Sequence, residues 1–141
     1  MESLHYLLMK AHTVLSRKIV AGVRELGLTP GQPKVLDYLN RFGERDQKTI
    51  AAYCEIEPAT VGSILGRMEA AGMIARRHRP GDRRALFVSL TEQGRERAAA
   101  LEGVFARAEE EAARELTAEE VEALKAALER FCRSAAGGWE P

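Results

Sequence analysis

Six arginines crowd residues 60–84: Arg67, Arg76, Arg77, Arg79, Arg83 and Arg84. Only Glu69 and Asp82 oppose them, so this stretch carries +4. A guanidinium offers a planar fork of N–H donors and stays charged at any physiological pH, which suits it to phosphate oxygens and to narrow grooves. The run RRHRPGDRR sets five of these arginines around a Pro-Gly turn signal, so they are expected at the tip of a ribbon. Asp82 sits badly beside phosphate on its own. It is expected to pair with an arginine and fix its direction.

The second group is small rather than charged. In QKTIAAYCEIEPATVGSILGRMEAAG (47–72), Ile50, Ala51 and Cys54 share one face of a short helix, and Ile56 fills a turn. Val61, Ile64, Leu65 and Met68 share the inner face of the next helix. That leaves Pro58, Ala59, Thr60, Ser63 and Arg67 facing outward. Two helices joined by a tight turn fit a helix-turn-helix, whose second helix enters a major groove. Small residues with one arginine allow close approach to base edges, where an ordinary surface helix carries Glu and Lys. The alternatives are an ordinary helical hairpin and a flexible basic loop.

Catalytic constellations are missing. There is no GxSxG, no phosphate-cradling glycine loop and no HExxH. Adjacent carboxylates occur on solvated helix faces such as Glu109–Glu111. No Cys/His set has zinc spacing, and no cofactor is expected. The chain does not read as an enzyme.

These residues need elements to hold them. Leu4, Leu8, Ala11, Leu15, Ile19, Val23 and Leu26 recur at helical spacing over 3–26, and Gly27 stops the helix. Thr29 is expected to cap a second helix with Pro30 in its first position and Gln32 closing a capping box, while Pro33 removes a donor from that turn. Val35, Leu36, Leu39 and Phe42 form its stripe, and Gly43 ends it. Asp46 can cap the helix from Gln47 to about Cys54, and the next helix runs from Pro58 to about Ala71. Met73–Arg77 and Ala85–Leu90 read as strands of a two-stranded ribbon. Thr91 can cap a long helix to about Leu116, with Ala98, Leu101, Phe105, Ala108 and Ala112 on one side and Gly103 as a weak point. Thr117 begins a last capping box, followed by Val121, Leu124, Leu128 and Phe131. Gly137-Gly138-Trp139 is expected to fray.

The fold class is therefore mainly α with a small β-wing: a winged helix-turn-helix at 29–91, between helices at 1–28 and 92–141. A helix of about 23 residues is about 35 Å long and outruns so small a core. The flanking stripes call for a second copy of the chain across a two-fold axis.

With 141 residues the chain fits one domain, and equal numbers of acids and bases, 21 each, give a net charge of zero. That neutrality conceals opposites, because residues 92–129 hold eleven acids and five bases, or −6. No apolar run is long enough to span a bilayer, so no membrane is expected as a partner. The start MESLHYLLMKAH lacks the parts of a secretory signal. Two cysteines, Cys54 and Cys132, are too few for a disulfide framework and point to a reducing cytoplasm.

The chain resembles the MarR family of bacterial winged-helix regulators over nearly its whole length. The likeness is carried by LGLTPGQPKVLDYL ending at Leu39, EPATVGSILGRMEAAGMI (57–74), RRHRPGDRRALFVSLTEQG (76–94) and the amphipathic flanks. The wing running into a Leu-Thr-x-x-Gly helix start is its most specific part. The resemblance implies a homodimer that binds double-stranded DNA at a pseudo-palindromic operator, acts as a repressor, and responds to a small-molecule or other effector. It places Pro58, Ala59, Thr60, Ser63 and Arg67 in the major groove and Asp82 with Arg83 or Arg84 at the wing; Arg77 and Arg79 of the same basic run are DNA-contact candidates beside them. Two departures stand out: Arg79 replaces a frequent aspartate, and Pro33 a frequent aromatic.

The sensing chemistry is less legible. Cys54 reads as a small buried hydrophobe rather than a thiol sensor. His5, Met9 and His12 share one face of the first helix and suit packing between subunits better than a metal. A protein-interaction module built on a winged-helix surface is the alternative function, and it predicts no affinity for DNA.

Overall fold

The computed structural model describes residues 1–137. Gly138 and Trp139, part of the segment expected to fray, lie outside the described residues. The order is α1 (Leu4–Glu25), α2 (Gln32–Phe42), β1 (Arg45–Asp46), α3 (Gln47–Tyr53), α4 (Pro58–Ala70), β2 (Ile74–Arg79), β3 (Asp82–Leu90), α5 (Glu92–Ala112) and α6 (Ala118–Ala136). The chain divides into two compact units, Met1–Ala106 and Arg107–Pro141. No helix among the described residues is long and apolar enough to cross a membrane.

The first unit carries the core. Val35 and Leu36 of α2, Ile50 of α3, Val61, Leu65 and Met68 of α4, Val88 of β3 and Leu101 of α5 are all fully enclosed. The buried positions of α3 and α4 are those that helical periodicity selects: Ile50, Ala51 and Cys54, then Val61, Ile64, Leu65 and Met68. Tyr38 is buried as well, and its ring stacks on Tyr53 of α3 with centroids 4.2 Å apart. Between the two helices Glu55 adopts φ 55°. A residue with a side chain is disfavoured there, yet this allows the turn to close in so few residues.

Three local expectations give way. The second helix starts at Gln32 with Gly31 as its cap, not at Pro30. The Gln32 side chain does reach back to accept from the Thr29 N–H at 3.1 Å. Pro33 falls in the first turn, where an N–H has no helical partner, so it removes nothing that the helix uses. The ribbon is longer than the strand signals and has a third member. Arg45–Asp46 pairs antiparallel with β3, giving the order β1-β3-β2. Two residues carry too little pattern to read from sequence, and here pairing creates the strand. In the wing, Arg79 opposes Asp82 in the last rung, so both belong to strands and only Pro80-Gly81 turns. Finally, α5 ends at Ala112 rather than near Leu116.

The junction between wing and α5 is tightly fixed. The Thr91 hydroxyl donates to the Gly72 carbonyl at 2.6 Å and accepts from the Gly94 N–H at 3.1 Å. One side chain thus ties the end of the helix-turn-helix to the start of α5. Arg97 of α5 donates to the Leu26 carbonyl beyond the end of α1, satisfying an acceptor that the helix leaves open.

In the second unit, Thr117 caps α6 by accepting from the Glu120 N–H at 3.1 Å. None of the residues of α6 is buried; Leu124, Leu128 and Phe131 are exposed. In the first unit α1 exposes Leu4, Leu7, Met9, Val14 and Val20 and buries only Val23.

Candidate nucleic-acid interface

Helix α4 turns its apolar side inward and leaves Pro58, Ala59, Thr60, Ser63 and Arg67 exposed. Glu57 at its N-cap makes no side-chain hydrogen bond to the helix, and Pro58 opens it. The N–H groups of its first turn therefore point beyond the helix without intrahelical partners, adding the positive end of the helix dipole to this corner. Gly62 faces α3 and Gly66 faces β2. A Cβ on Gly62 would sit 3.3 Å from Gln47 Nε2, and one on Gly66 would sit 3.8 Å from an Arg76 nitrogen. These gaps let side chains from α3 and β2 lie close against the helix.

Arg76 uses that space. It donates to Glu69 Oε1 at 3.1 Å and to Gln47 Oε1 at 3.4 Å, while its backbone N–H meets Glu69 Oε2 at 3.2 Å. Those hydrogen bonds hold the Glu69 carboxyl below the ordinary carboxylate range. Arg76 therefore fastens α3, α4 and β2 together, and one of the six arginines of the basic stretch is spent inside the protein.

The wing divides the remaining charge. Arg77 and Arg79 both reach the carboxylate of Glu44, at 3.1 and 3.4 Å. The Arg79 guanidinium also lies 3.7 Å from the centroid of the Phe87 ring, a cation–π arrangement. His78 Nδ1 donates to the Ala85 carbonyl at 3.0 Å, bracing the two strands. Asp82 does not pair with a guanidinium as its position suggested. Its Oδ1 accepts from the Arg84 backbone N–H at 3.0 Å, a local bond to the chain two residues on. Arg83 and Arg84 are exposed, and among the described residues neither guanidinium has a protein partner.

Lys48, Pro58 and Arg84 meet around a shallow cleft, together with Asp46, Gln47, Ala85 and Leu86. Residues from three elements, α3, α4 and β3, thus present two free cations beside the open end of α4. Asp46 contributes by capping α3. It accepts from the Thr49 hydroxyl at 2.5 Å and the Thr49 N–H at 3.1 Å, and the hydroxyl bond is the larger cause of its lowered pKa. Sequence reasoning missed Lys48 and Glu44. Lys48 had a usable signal, being a basic residue in the first turn of the first short helix. Glu44 had none, since its role depends on β1 lying across the sheet from β2.

Burial pushes the Cys54 thiol up to about 11, far from a nucleophile's range. Among the described residues no group of three His, Cys, Asp or Glu side chains could hold a metal ion.

The chain is similar to known proteins. A sequence model of the MarR family matches residues 26–85. The HTH-type transcriptional repressor MdtR of Bacillus subtilis (strain 168) is 34% identical over 77 residues, which cover 55% of this chain and about half, 50%, of that protein. The HTH-type transcriptional repressor Rv2887 of Mycobacterium tuberculosis (strain ATCC 25618 / H37Rv) is 29% identical over 128 residues, 91% of this chain and 92% of that one. A crystal structure of Rv2887 in complex with DNA superposes with a TM-score of 0.77 at 27% identity, covering 93% of this chain and 98% of the other. A structure of the same protein with salicylic acid gives 0.74 at 28%, covering 93% and 97%.

Proposed function

We propose that the chain is a member of the MarR family, whose sequence model matches residues 26–85, and that it is a homodimeric transcriptional repressor that binds a pseudo-palindromic operator. The observation that carries this reading is the cleft at which Lys48, Arg84 and the start of α4 converge. Phosphate contacts there would fix the register of α4, whose small outer face of Pro58, Ala59, Thr60 and Ser63 then meets base edges with Arg67 beside it. Arg83, Arg84 and the pair Arg77 and Arg79 follow the adjoining minor groove, while Asp82 keeps the wing turn in shape.

Residues 29–91 do the reading in this proposal, and 1–28 and 92–141 hold two copies together. The exposed Leu4, Leu7 and Met9 of α1 and Leu124, Leu128 and Phe131 of α6 support that division, since unpartnered apolar stripes of this kind mark interfaces. The dimer would set its two copies of α4 about 34 Å apart, one turn of DNA. A small-molecule effector releases the DNA; the salicylic acid complex of Rv2887 supports the kind of ligand. The chain works in the cytoplasm, where the DNA is, and catalyses no reaction.

The test is a gel-shift titration with the DNA upstream of its own gene. Three to four phosphates touched per subunit give a log–log salt slope of about −6. Binding that ignores salt, or no binding to any inverted repeat in that DNA, overturns the proposal.

A further inference from the structure

Glu44 lies just before β1, and β3 separates β1 from β2. Its carboxylate nevertheless meets two arginines of β2, so it must cross the face of the central strand. Arg77 and Arg79 are alternate residues of one strand and share that face. Each gives one N–H to Glu44, at 3.1 and 3.4 Å. Their side chains remain 70% and 54% exposed, against 21% for Glu44. Each guanidinium has five N–H donors, so most of them still face outward. The Phe87 ring supports Arg79 from beneath.

This is an arginine pair that is aimed by the protein and half neutralised by it. Two exposed guanidinium groups share one carboxylate, which leaves +1 where +2 would stand. We propose that Glu44 sets the charge of the wing: it positions Arg77 and Arg79 while cancelling one of their charges, and so holds down the affinity of the wing for DNA of any sequence. The inference rests on the DNA-binding reading above. Sequence-independent affinity follows the number of phosphates neutralised, whereas base contacts made by α4 do not involve Glu44. Glu44 therefore sets how strongly the wing holds DNA in general, operator included, without altering what α4 reads. In this balance Arg79 adds a cation to the wing and Glu44 offsets it.

The test compares the wild type with Glu44→Gln on a mixed-sequence duplex of about 30 base pairs, by fluorescence anisotropy over a salt series. The amide keeps the size of the side chain and removes the charge. Exposed ion pairs contribute little to stability, so the unfolding midpoint should stay close to that of the wild type. One further phosphate neutralised steepens the salt slope by about 0.9 and raises affinity about eightfold at 0.1 M salt. Glu44→Ala should do the same. In an Arg77→Gln/Arg79→Gln background no guanidinium is freed, so Glu44→Gln should give a clearly smaller gain and leave the salt slope nearly unchanged. Unchanged or weaker binding, or a shallower slope, overturns the proposal and shows that Glu44 only braces the wing. An equal gain with the same steepened slope in the absence of the two arginines overturns it as well. If the wild type itself binds no duplex at low salt, the DNA-binding reading falls first and this inference with it.

Discussion

Gly94 and Gly103 both lie in α5, and replacing each by alanine should move stability in opposite directions. A Cβ on Gly94 would stand 2.0 Å from the Met73 carbonyl oxygen, 3.0 Å from its carbon and 3.2 Å from Leu90 Cδ2. An ordinary C···O contact is about 3.3 Å, so α5 would have to retreat by about 1.3 Å. The Met73 carbonyl cannot yield freely, because it accepts from the Thr91 N–H at 3.0 Å. The Thr91 hydroxyl in turn holds Gly72 and Gly94. Overpacking typically costs about 1–3 kcal/mol, and a weakened hydrogen bond adds about 1 kcal/mol. Gly94→Ala should therefore destabilise by about 3 kcal/mol, a fall in Tm of about 6–12 °C for a chain of this size. Gly103 has nothing within 4 Å of its would-be Cβ and no positive φ. There alanine should gain up to about 1 kcal/mol from helix propensity alone. Urea unfolding of the three proteins at one fixed concentration measures both changes, since a dimer's stability depends on concentration. A Gly94→Ala loss below about 1 kcal/mol, or a Gly103→Ala loss exceeding it, would refute the backbone-contact argument.

Other outcomes follow from single groups. Arg83→Ala and Arg84→Ala should each weaken operator binding and make the salt slope about 0.9 shallower, with sedimentation showing an unchanged oligomer. Asp46→Ala should cost about 1 kcal/mol at neutral pH by removing the α3 cap. The folded pKa of Asp46 is depressed, so its contribution is complete above the ordinary carboxylate value and disappears as pH falls through the folded one; the gap between the variant and wild type should close in acid. With its thiol raised to about 11, Cys54 should be about one part in a thousand thiolate at pH 8. Thiol reagents should spare it in the folded protein and label it on unfolding. Fast labelling of Cys54 under native conditions would show that the core opens far more readily than its burial implies.

Much of this protein is local and therefore legible in its amino-acid order. Periodicity selects Ile50, Ala51, Cys54, Val61, Ile64, Leu65 and Met68 as the inner side of the helix pair, because a helix of 3.6 residues per turn must bury one stripe. That choice also fixes Pro58, Ala59, Thr60, Ser63 and Arg67 as the outer side. Caps such as Asp46, Thr91 and Thr117 act over three residues, so their partners lie within the same few letters. The resemblance carried by the helix-turn-helix, the wing and the Leu-Thr-x-x-Gly helix start adds the family to these local readings.

Tertiary structure decided what each charge does. The sequence supplies six arginines in one stretch, but not that Arg76 is spent on Glu69 and Gln47. Nor does it show that Arg77 and Arg79 share Glu44 while Arg83 and Arg84 have no guanidinium partner among the described residues. The physical reason is range. A cap or a helical stripe is set by neighbours along the chain, whereas an ion pair is set by which strands lie side by side. Glu44 meets Arg77 and Arg79 only because β1, a strand with almost no sequence signal of its own, pairs with β3.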